Sequence, residues 1–210
     1  MSPLRIDHAT TTGDFSLDGQ SWTVVNNVWV IGSDTDCLII DAPHNLAPIV
    51  EMVAGRSVIG IFCTHAHNDH INQATEAANL FSCDILLHRD DLVLWDQTQT
   101  RPPSIRLVEN GETITINDAD ATILHTPGHT PGGLSLYVPS LEAVFTGDTL
   151  FRGGPGATGR SFSDFPTIIA SISSRLLVLE PETTVYPGHG ETTTVAEEKP
   201  DLELWIARGF

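Results

Sequence analysis

The sequence has little positive charge and no cluster of basic residues. Its 10 Lys and Arg residues stand against 27 Asp and Glu residues, which gives a formal net charge of −17. The only lysine is Lys199, and the arginines are spread along the chain. A chain with this charge repels nucleic acid and anionic membranes at long range. We therefore expect neither as a partner, and the substrate is predicted to be a small molecule.

The sequence also lacks long apolar runs and a disulfide framework. Residues 1–15 contain no apolar stretch typical of a secretory signal, and no later run has the length of a transmembrane helix. Cys37, Cys63 and Cys83 lie at irregular spacing in apolar surroundings, which favours buried free thiols in a reducing compartment. We therefore predict a cytoplasmic protein.

The length and the 40% apolar content of the 210-residue chain favour one domain over residues 1–210. Apolar and β-branched runs predict strands at Ser21–Ile31, Cys37–Ile40, Ser57–Thr64, Ile85–His88, Thr113–Ile116, Ala121–His125, Leu134–Val138, Ala143–Phe145 and Thr183–Tyr186. Helical patterns predict Leu46–Ala54, Ile71–Leu80, a helix near Leu92 within the polar connection Arg89–Arg106, Thr167–Leu179 and a closing helix at Leu202–Ile206. The glycine-rich residues 151–166 are predicted to form a loop. In each half, strands come first and a helix follows, which predicts two mixed sheets packed face to face with helices outside.

One short motif places four ligand-type residues where a predicted strand runs into a predicted helix. In the segment HAHNDH, His65 and His67 are two apart on an extended strand, so their side chains point the same way and can chelate one ion. Asp69 and His70 lie just beyond, where the turn into the helix lets them face the same cavity and hold a second ion. This spacing indicates a metal site.

Three later segments each place a ligand-type residue in a loop after a predicted strand. They are TPGHT around His129, TGDT around Asp148 and PGHG around His189. The glycines allow the backbone to bend sharply and approach a metal closely, and the prolines stiffen the loops. Loops at strand ends are the usual place for active-site groups. We therefore expect all three residues to join the HAHNDH residues in one site.

This complete order of ligands resembles that of the metallo-β-lactamase superfamily, and the resemblance covers nearly the whole chain. It implies an α+β fold, the αββα sandwich of two mixed β-sheets with helices on the outer faces. It also implies two sets of metal ligands and one bridging residue: His65, His67 and His129; Asp69, His70 and His189; and Asp148. An aspartate at the bridging position, with GDTLF and PGHTPGG around these ligands, is similar to the glyoxalase-II-like branch.

The predicted chemistry is hydrolysis without a serine or cysteine nucleophile. Two divalent ions can share one water, lower its pKa and present hydroxide to a carbonyl that one ion polarises. Asp69 and Asp148 leave such a cluster cationic enough to stabilise an oxyanion, and we assign both as catalytic residues. Nitrogen and oxygen ligands of this kind accept zinc, iron or manganese, and two zinc ions are our prediction.

The expected substrate is a thioester of a small intracellular thiol. The loops offer no obvious general acid. A thiol has a pKa of about 8.5, so its thiolate can leave without one. Classical glyoxalase II enzymes bind glutathione through basic residues of a C-terminal helical portion, whereas a short acidic tail with Lys199 and Arg208 follows His189 here. The chain looks similar to short actinobacterial members associated with mycothiol-dependent aldehyde detoxification. A mycothiol conjugate is therefore the predicted substrate.

Other functions share the same scaffold. Some family members with this ligand set are lactonases, and persulfide dioxygenases use a single iron, whose ligands here would be His65, His129 and Asp148. A non-catalytic binding protein is disfavoured because no ligand is missing, and phosphodiester cleavage is opposed by the charge.

Several residues outside the motif are assigned lesser roles. Three residues that could touch the substrate without a catalytic role are Tyr137, Arg152 and Arg160. Four histidines without a ligand motif are predicted to be surface, capping or supporting residues: His8, His44, His88 and His125.

Overall fold

The computed structural model describes residues 3–99 and 104–209, and in this part of the chain most strands belong to two mixed sheets. The first sheet contains, in spatial order, β1 (Arg5–Leu17), β2 (Gln20–Gly32), β3 (Asp36–Ile40), β4 (Ser57–Phe62), β5 (Ile85–Leu87) and β6 (Ile105–Leu107). The second contains β14 (Thr193–Thr194), β13 (Thr184–Pro187), β10 (Ala143–Gly147), β9 (Leu134–Val138), β8 (Ala119–His125) and β7 (Thr113–Ile116). A separate short hairpin joins β11 (Leu150–Phe151) to β12 (Gly154–Pro155).

The strand directions bring several strand ends to one edge of the molecule. In the first sheet β1, β2 and β3 are antiparallel, whereas β3, β4, β5 and β6 run parallel to one another. In the second sheet β10 is parallel to β13, and β8 has the same direction because β9 is antiparallel to both β8 and β10. The carboxyl ends of parallel strands meet at the same edge of a sheet, so the loops after them are neighbours.

The helices are short and lie outside the two sheets. They are α1 (Leu46–Val53), α2 (Asn68–Ile71), α3 (Ala74–Phe81), α4 (Leu92–Thr98), α5 (Phe165–Ser171), α6 (Val195–Glu198) and α7 (Leu202–Arg208). Asn45 begins α1 and Asp164 begins α5, each by accepting a backbone N–H of the first turn with its side chain. None of the helices described here combines the length and the apolar character that crossing a membrane requires.

Alternating side chains divide the interior into three apolar layers. Between the sheets, Phe62 of β4 packs in the same cluster as Phe145 of β10. The outer face of the first sheet is covered by helices that contribute side chains such as Trp95 of α4. Val144, next to Phe145 but on the opposite face of β10, packs with Trp205 of α7. The order of layers is helix, sheet, sheet, helix, which confirms the predicted fold class.

Most of the predicted secondary-structure elements are present, and the cysteines are free thiols as predicted. Cys37 and Cys63 are buried free thiols as expected, while Cys83 is half-buried. All nine predicted strands are present, and the helix near Leu92 is α4. Residues 100–103 of the predicted connection Arg89–Arg106 lie outside the described residues.

The differences concern elements with weak apolar patterns. Strand β1 was not predicted, because most of its side chains alternate between half-buried and exposed positions and so leave a weak apolar pattern. The strand is held in place by pairing with β2 over its whole length. The predicted helix Ile71–Leu80 is two helices, α2 and α3, and the predicted helix Thr167–Leu179 changes after Ser171 into a π-helical turn at Ile172–Leu176. The predicted loop 151–166 contains most of the hairpin β11–β12, and β6 and β14 are too short to leave a pattern.

Candidate metal centre

The seven predicted ligand residues lie together where the strand ends of both sheets meet. His65 and His67 follow β4, Asp69 and His70 lie in α2, and single ligands follow β8, β10 and β13, namely His129, Asp148 and His189. Helix α2 begins immediately after His67, which turns Asp69 and His70 back towards the two preceding histidines. Six of the seven fall into two groups of three whose ligand atoms converge, His65 with His67 and His129, and Asp69 with His70 and His189.

The distances within each group are those of side chains that point at a common centre. In the first group, His67 Nδ1 is 3.1 Å from His65 Nε2 and 3.0 Å from His129 Nε2. In the second, His70 Nε2 is 3.3 Å from His189 Nε2, and Asp69 Oδ2 is 3.4 Å from His189 Nε2. Each group is compact enough to hold one ion.

The carboxylate of Asp148 lies between the two groups. Its Oδ1 is 3.3 Å from His70 Nε2, and its Oδ2 is 3.5 Å from the Nε2 atoms of both His129 and His189. Gly188 makes this approach possible, because a Cβ there would lie 2.4 Å from Asp148 Oδ1. Asp148 is therefore in position to contact an ion held by either group.

The residues fit metal ions because polar atoms are buried here without protein partners. Asp69 Oδ1 and Asp148 Oδ1 are both inaccessible to solvent and accept no hydrogen bond. Buried carboxylate oxygens without partners are costly, and divalent cations would satisfy them. Imidazole and carboxylate groups are also the donor types that zinc, iron and manganese accept.

Hydrogen bonds outside the cluster orient the histidine rings. The Nδ1–H of His70 donates to Asp41 Oδ2 at 2.8 Å, that of His129 to the Ala157 carbonyl at 2.8 Å, and that of His189 to the Val25 carbonyl at 2.6 Å. Fixing the proton on Nδ1 leaves the Nε2 lone pair facing the cluster, as metal-bound histidines require.

Asp41, at the end of β3, supports two ligands and was not recognised in the sequence. Its carboxylate accepts from the backbone N–H and the hydroxyl of Thr64, both at 2.8 Å, as well as from His70. The Thr64 hydroxyl in turn lies 3.1 Å from His65 Nδ1. The residue is 2% exposed and has a positive φ of 59°. An acidic residue directly after the buried run CLII is the signal that could have identified it.

Two adjacent asparagines of β2 also contact the site and were missed. Asn26 Nδ2 donates to Asp69 Oδ2 at 3.0 Å, and Asn27 Nδ2 donates to the carbonyls of Pro187 and Gly190, both at 3.0 Å. Because neighbouring residues of a strand face opposite ways, one asparagine orients a ligand and the other holds the loop that carries His189.

A fourth missed residue, Asp91, joins two ligand loops. Its carboxylate accepts from the Ala66 N–H at 2.8 Å, the Thr130 hydroxyl at 2.9 Å and the Gly132 N–H at 2.5 Å. Burial raises the pKa of Asp91, and these three hydrogen bonds oppose that rise. The contact fixes the HAHNDH segment relative to the loop of His129.

Two of the four remaining histidines support the asparagines of β2, and the other two form a separate pair. His44 Nε2 donates to Asn26 Oδ1 at 2.9 Å, and His8 Nε2 lies 2.9 Å from Asn27 Oδ1. The rings of His88 and His125 stack 4.1 Å apart away from the cluster, and His88 Nδ1 accepts the N–H of Asp90.

Without metal, the buried cluster divides its histidines into two protonation states. Burial lowers the pKa of His65 well below its usual value and that of His67 to about 3. Burial also disfavours the charged forms of His70 and His189, but the negative charge of Asp148 and the neighbouring carboxylates has the larger effect. The pKa of His70 is therefore raised well above its usual value, and that of His189 is raised to about 10. At neutral pH His65 and His67 are thus uncharged and can bind a metal directly. His70 and His189 carry protons that a metal must displace.

A cavity of about 450 Å³ opens onto the cluster. Its polar wall includes five of the ligands, and its apolar wall is formed by Phe15, Leu17, Val24, Val25 and Phe151. Arg160 lines this cavity as well. Neither Arg152 nor Tyr137 does: Arg152 pairs with Glu191 at 2.8 Å, and Tyr137 packs against the outer apolar cluster of the second sheet.

Comparisons with known proteins agree with this geometry. The family model described as "Metallo-beta-lactamase superfamily" matches residues 22–189. The probable metallo-hydrolase YqgX of Bacillus subtilis is 32% identical over 82% of this chain and 89% of its own, and the hydroxyacylglutathione hydrolase GloC of Haemophilus influenzae is 31% identical over 66% and 72%. The crystal structure of TTHA1623 in a di-iron-bound form superposes with a TM-score of 0.74 and 30% identity, covering 83% of this chain and 92% of that one.

Replacing Asp41 by Asn should weaken metal binding by about 10- to 100-fold, the usual effect of removing such a supporting carboxylate. All three partners of Asp41 are donors, and an amide offers only one acceptor atom. His70 would lose its fixed tautomer. Competition with a chromogenic chelator measures the affinity, and the exposed Asp96→Asn is the matched control. Equal affinities in the two variants would contradict the assigned role.

Metal loading at neutral pH should release about two protons per chain, one each from His70 and His189, because ligation requires neutral imidazole. The sign follows from their raised pKa values, which keep both rings protonated until metal arrives. Affinity should accordingly fall as the pH is lowered. Calorimetric titration with zinc in buffers of different ionisation enthalpy counts the protons, and loading without proton release would refute this protonation pattern.

Proposed function

The chain belongs to the metallo-β-lactamase superfamily of hydrolases, and within it we propose a dinuclear metallo-hydrolase that cleaves the thioester of a small intracellular thiol. The observation that carries the proposal is the position of Asp148, whose two carboxylate oxygens reach both groups of converging ligand atoms. One ion would be held by His65, His67 and His129, and the other by Asp69, His70 and His189. Asp148 would contact both.

The similar protein with two bound irons supports a two-metal site and leaves the metal itself open. We propose zinc, with iron or manganese as alternatives, because the same nitrogen and oxygen ligands accept all three. When bound, two such ions polarise a carbonyl and lower the pKa of water towards neutrality.

The protein's own contribution is to orient the reacting groups. Although burial alone would raise the pKa of Asp69, its neighbours His70 and His189 hold that pKa at about 2. His189 and His70 likewise keep the pKa of Asp148 well below its usual range, against the effect of burial. Asn26 fixes Asp69 Oδ2, while Oδ1 has no hydrogen-bond partner. Asp69 therefore stays ionised, and its Oδ1 would contact the ion held with His70 and His189.

The cavity favours a leaving group that departs as an anion. Among the described residues that line it, none is a lysine, tyrosine or cysteine. An arginine guanidinium does not serve as a general acid in proteins. An amine must be protonated to leave, whereas a thiol has a pKa of about 8.5 and its thiolate departs unassisted. The relative GloC is a hydroxyacylglutathione hydrolase by name, which agrees with a thioester substrate.

For the thiol we propose mycothiol rather than glutathione, with detoxification of aldehydes in the cytoplasm as the role. The test is a panel of matched acyl groups presented as glutathione thioesters, mycothiol thioesters and lactones to the zinc-loaded protein. The proposal expects the mycothiol compounds to be hydrolysed fastest. Turnover of the glutathione compounds alone would overturn the choice of thiol, and turnover of the lactones alone would identify a lactonase.

Asp148→Asn should leave a folded protein that binds metal weakly and has lost about 100-fold or more of its activity. An amide carries no charge to either ion, whereas the carboxylate serves both. Metal analysis and thioesterase rate are measured together, with Asp96→Asn as control. A fully active variant with two bound metals would show that Asp148 is not the bridge.

His70→Ala separates the dinuclear hydrolase from a single-iron dioxygenase, because the ligands of the latter would be His65, His129 and Asp148. We expect loss of the second metal and a fall in hydrolysis by about two orders of magnitude or more, since one ion would then act alone. His125→Ala, outside the cluster, should keep both metals and full rate.

The measurements are metal stoichiometry, hydrolysis rate and sulfide-dependent oxygen consumption, with circular dichroism to establish that His70→Ala is folded. A folded variant with unchanged metal content and rate would argue against two metals. Oxygen consumption by wild type with one iron per chain would then identify the dioxygenase.

A further inference from the structure

We propose that Arg160 is the specificity-determining residue that binds an anionic group, a carboxylate, carried by the substrate. The inference rests on the proposed thioester hydrolysis and names the substrate class more closely. It concerns a residue that takes no part in the metal cluster yet lines the same cavity as five of its ligands.

The backbone around Arg160 is held against the tip of the hairpin β1–β2. The N–H of Ser161 donates to Asp18 Oδ2 at 3.2 Å, and Asp18 stands at the turn that joins the two strands. The Arg160 N–H donates to Ser163 Oγ at 3.0 Å, and this hydroxyl donates back to the Arg160 carbonyl at 2.8 Å. The loop is therefore closed over one side of the cavity and places the arginine at its wall.

Aromatic side chains of the hairpin lie against the guanidinium of Arg160. Its Cζ lies 4.0 Å from the centroid of the Trp22 ring and 5.8 Å from that of Phe15. A guanidinium placed over aromatic rings at this distance can still offer its N–H groups to a carboxylate in a two-pronged contact. The side chain is thus oriented before any ligand binds.

No protein carboxylate occupies that edge in the described part of the chain. Asp18 acts on Arg160 only at longer range and gives its Oδ2 to the Ser161 N–H. Arg152, in the same loop, contrasts with it because its guanidinium is paired with Glu191 at 2.8 Å and lies outside the cavity. A stacked and unpaired arginine beside a binding cavity is an arrangement that suits an anionic ligand.

The remaining walls restrict what that ligand can be. Apart from the metal ligands and Arg160, the cavity is lined by apolar side chains and by Ala157, Ser161 and Ser163. In a chain with a net charge of −17, a local cation is needed to offset the repulsion of an anion. The substrate class that matches is a thioester with an apolar body and a carboxylate, which lies either in its acyl half or in its thiol half.

Two pairs of small thioesters distinguish a carboxylate in the acyl half of the substrate from one in the thiol half. The first pair is the S-ethyl monothioester of succinic acid and its methyl ester, with the charge in the acyl half. The second is S-acetyl-3-mercaptopropionate and its carboxamide, with the charge in the thiol half. Each is assayed with zinc-loaded wild type, Arg160→Gln, Arg160→Lys and the control Arg152→Gln. Binding of the corresponding thioethers, which cannot be hydrolysed, is measured in parallel by calorimetry.

Arg160→Gln should raise KM about 10-fold or more for the charged member of at least one pair, leaving kcat and the neutral member nearly unchanged. Arg160→Lys should restore part of the loss, because it keeps the charge without the planar edge. Arg152→Gln should behave as wild type. Trp22→Leu, which removes the stacking surface, should reduce the preference for the charged member without abolishing hydrolysis.

The thioethers keep the two proposals separate. If no thioester is hydrolysed but the charged thioether binds about 10-fold more weakly to Arg160→Gln, the assigned chemistry fails and the anion site stands. If thioesters are hydrolysed and Arg160→Gln affects charged and neutral members equally in both pairs, the inference is overturned while the hydrolase stands.

Discussion

The convergence of two carboxylates and five imidazoles on one largely buried cluster determines how the rest of the structure is arranged. Two carboxylate oxygens, on Asp69 and Asp148, have no hydrogen-bond partner in a place that solvent does not reach. Such a cluster is costly to assemble from protein alone, and ions that satisfy both oxygens would stabilise it. The fold therefore has to bring these groups together and, in addition, hold each of them at a fixed angle.

Strand direction achieves the first task, and hydrogen bonds around the cluster achieve the second. Parallel strands of both sheets end at the same edge, so four separate chain segments deliver candidate ligands to it. Asp41, Asn26 and Asp91 then fix the tautomers and loops that aim the ligands. The hairpin β1–β2 connects this apparatus to the substrate cavity, because Asn26 contacts Asp69 while Phe15 and Trp22 form the aromatic wall beneath Arg160.

The clustering of the candidate ligands and the core could be predicted from the sequence because each leaves a local signal. HAHNDH has the spacing of a chelating motif, and the buried strands are continuous apolar runs such as Cys37–Ile40. The supporting residues leave no such signal. Asn26 and Asp91 act through partners 43 and 25 to 41 positions away, contacts that only the folded chain reveals. Strand β1 was missed for a related reason, since pairing with β2 rather than burial of alternate side chains holds it.

A dinuclear site requires two ions, one on either side of Asp148. Crystals of the zinc-loaded protein, measured on both sides of the zinc absorption edge, test it directly because anomalous scattering locates each ion without reference to activity. We expect two peaks per chain, one among His65, His67 and His129 and one among Asp69, His70 and His189, with Asp148 in contact with both. A single peak among His65, His129 and Asp148, with none beside His70 at saturating zinc, would contradict it.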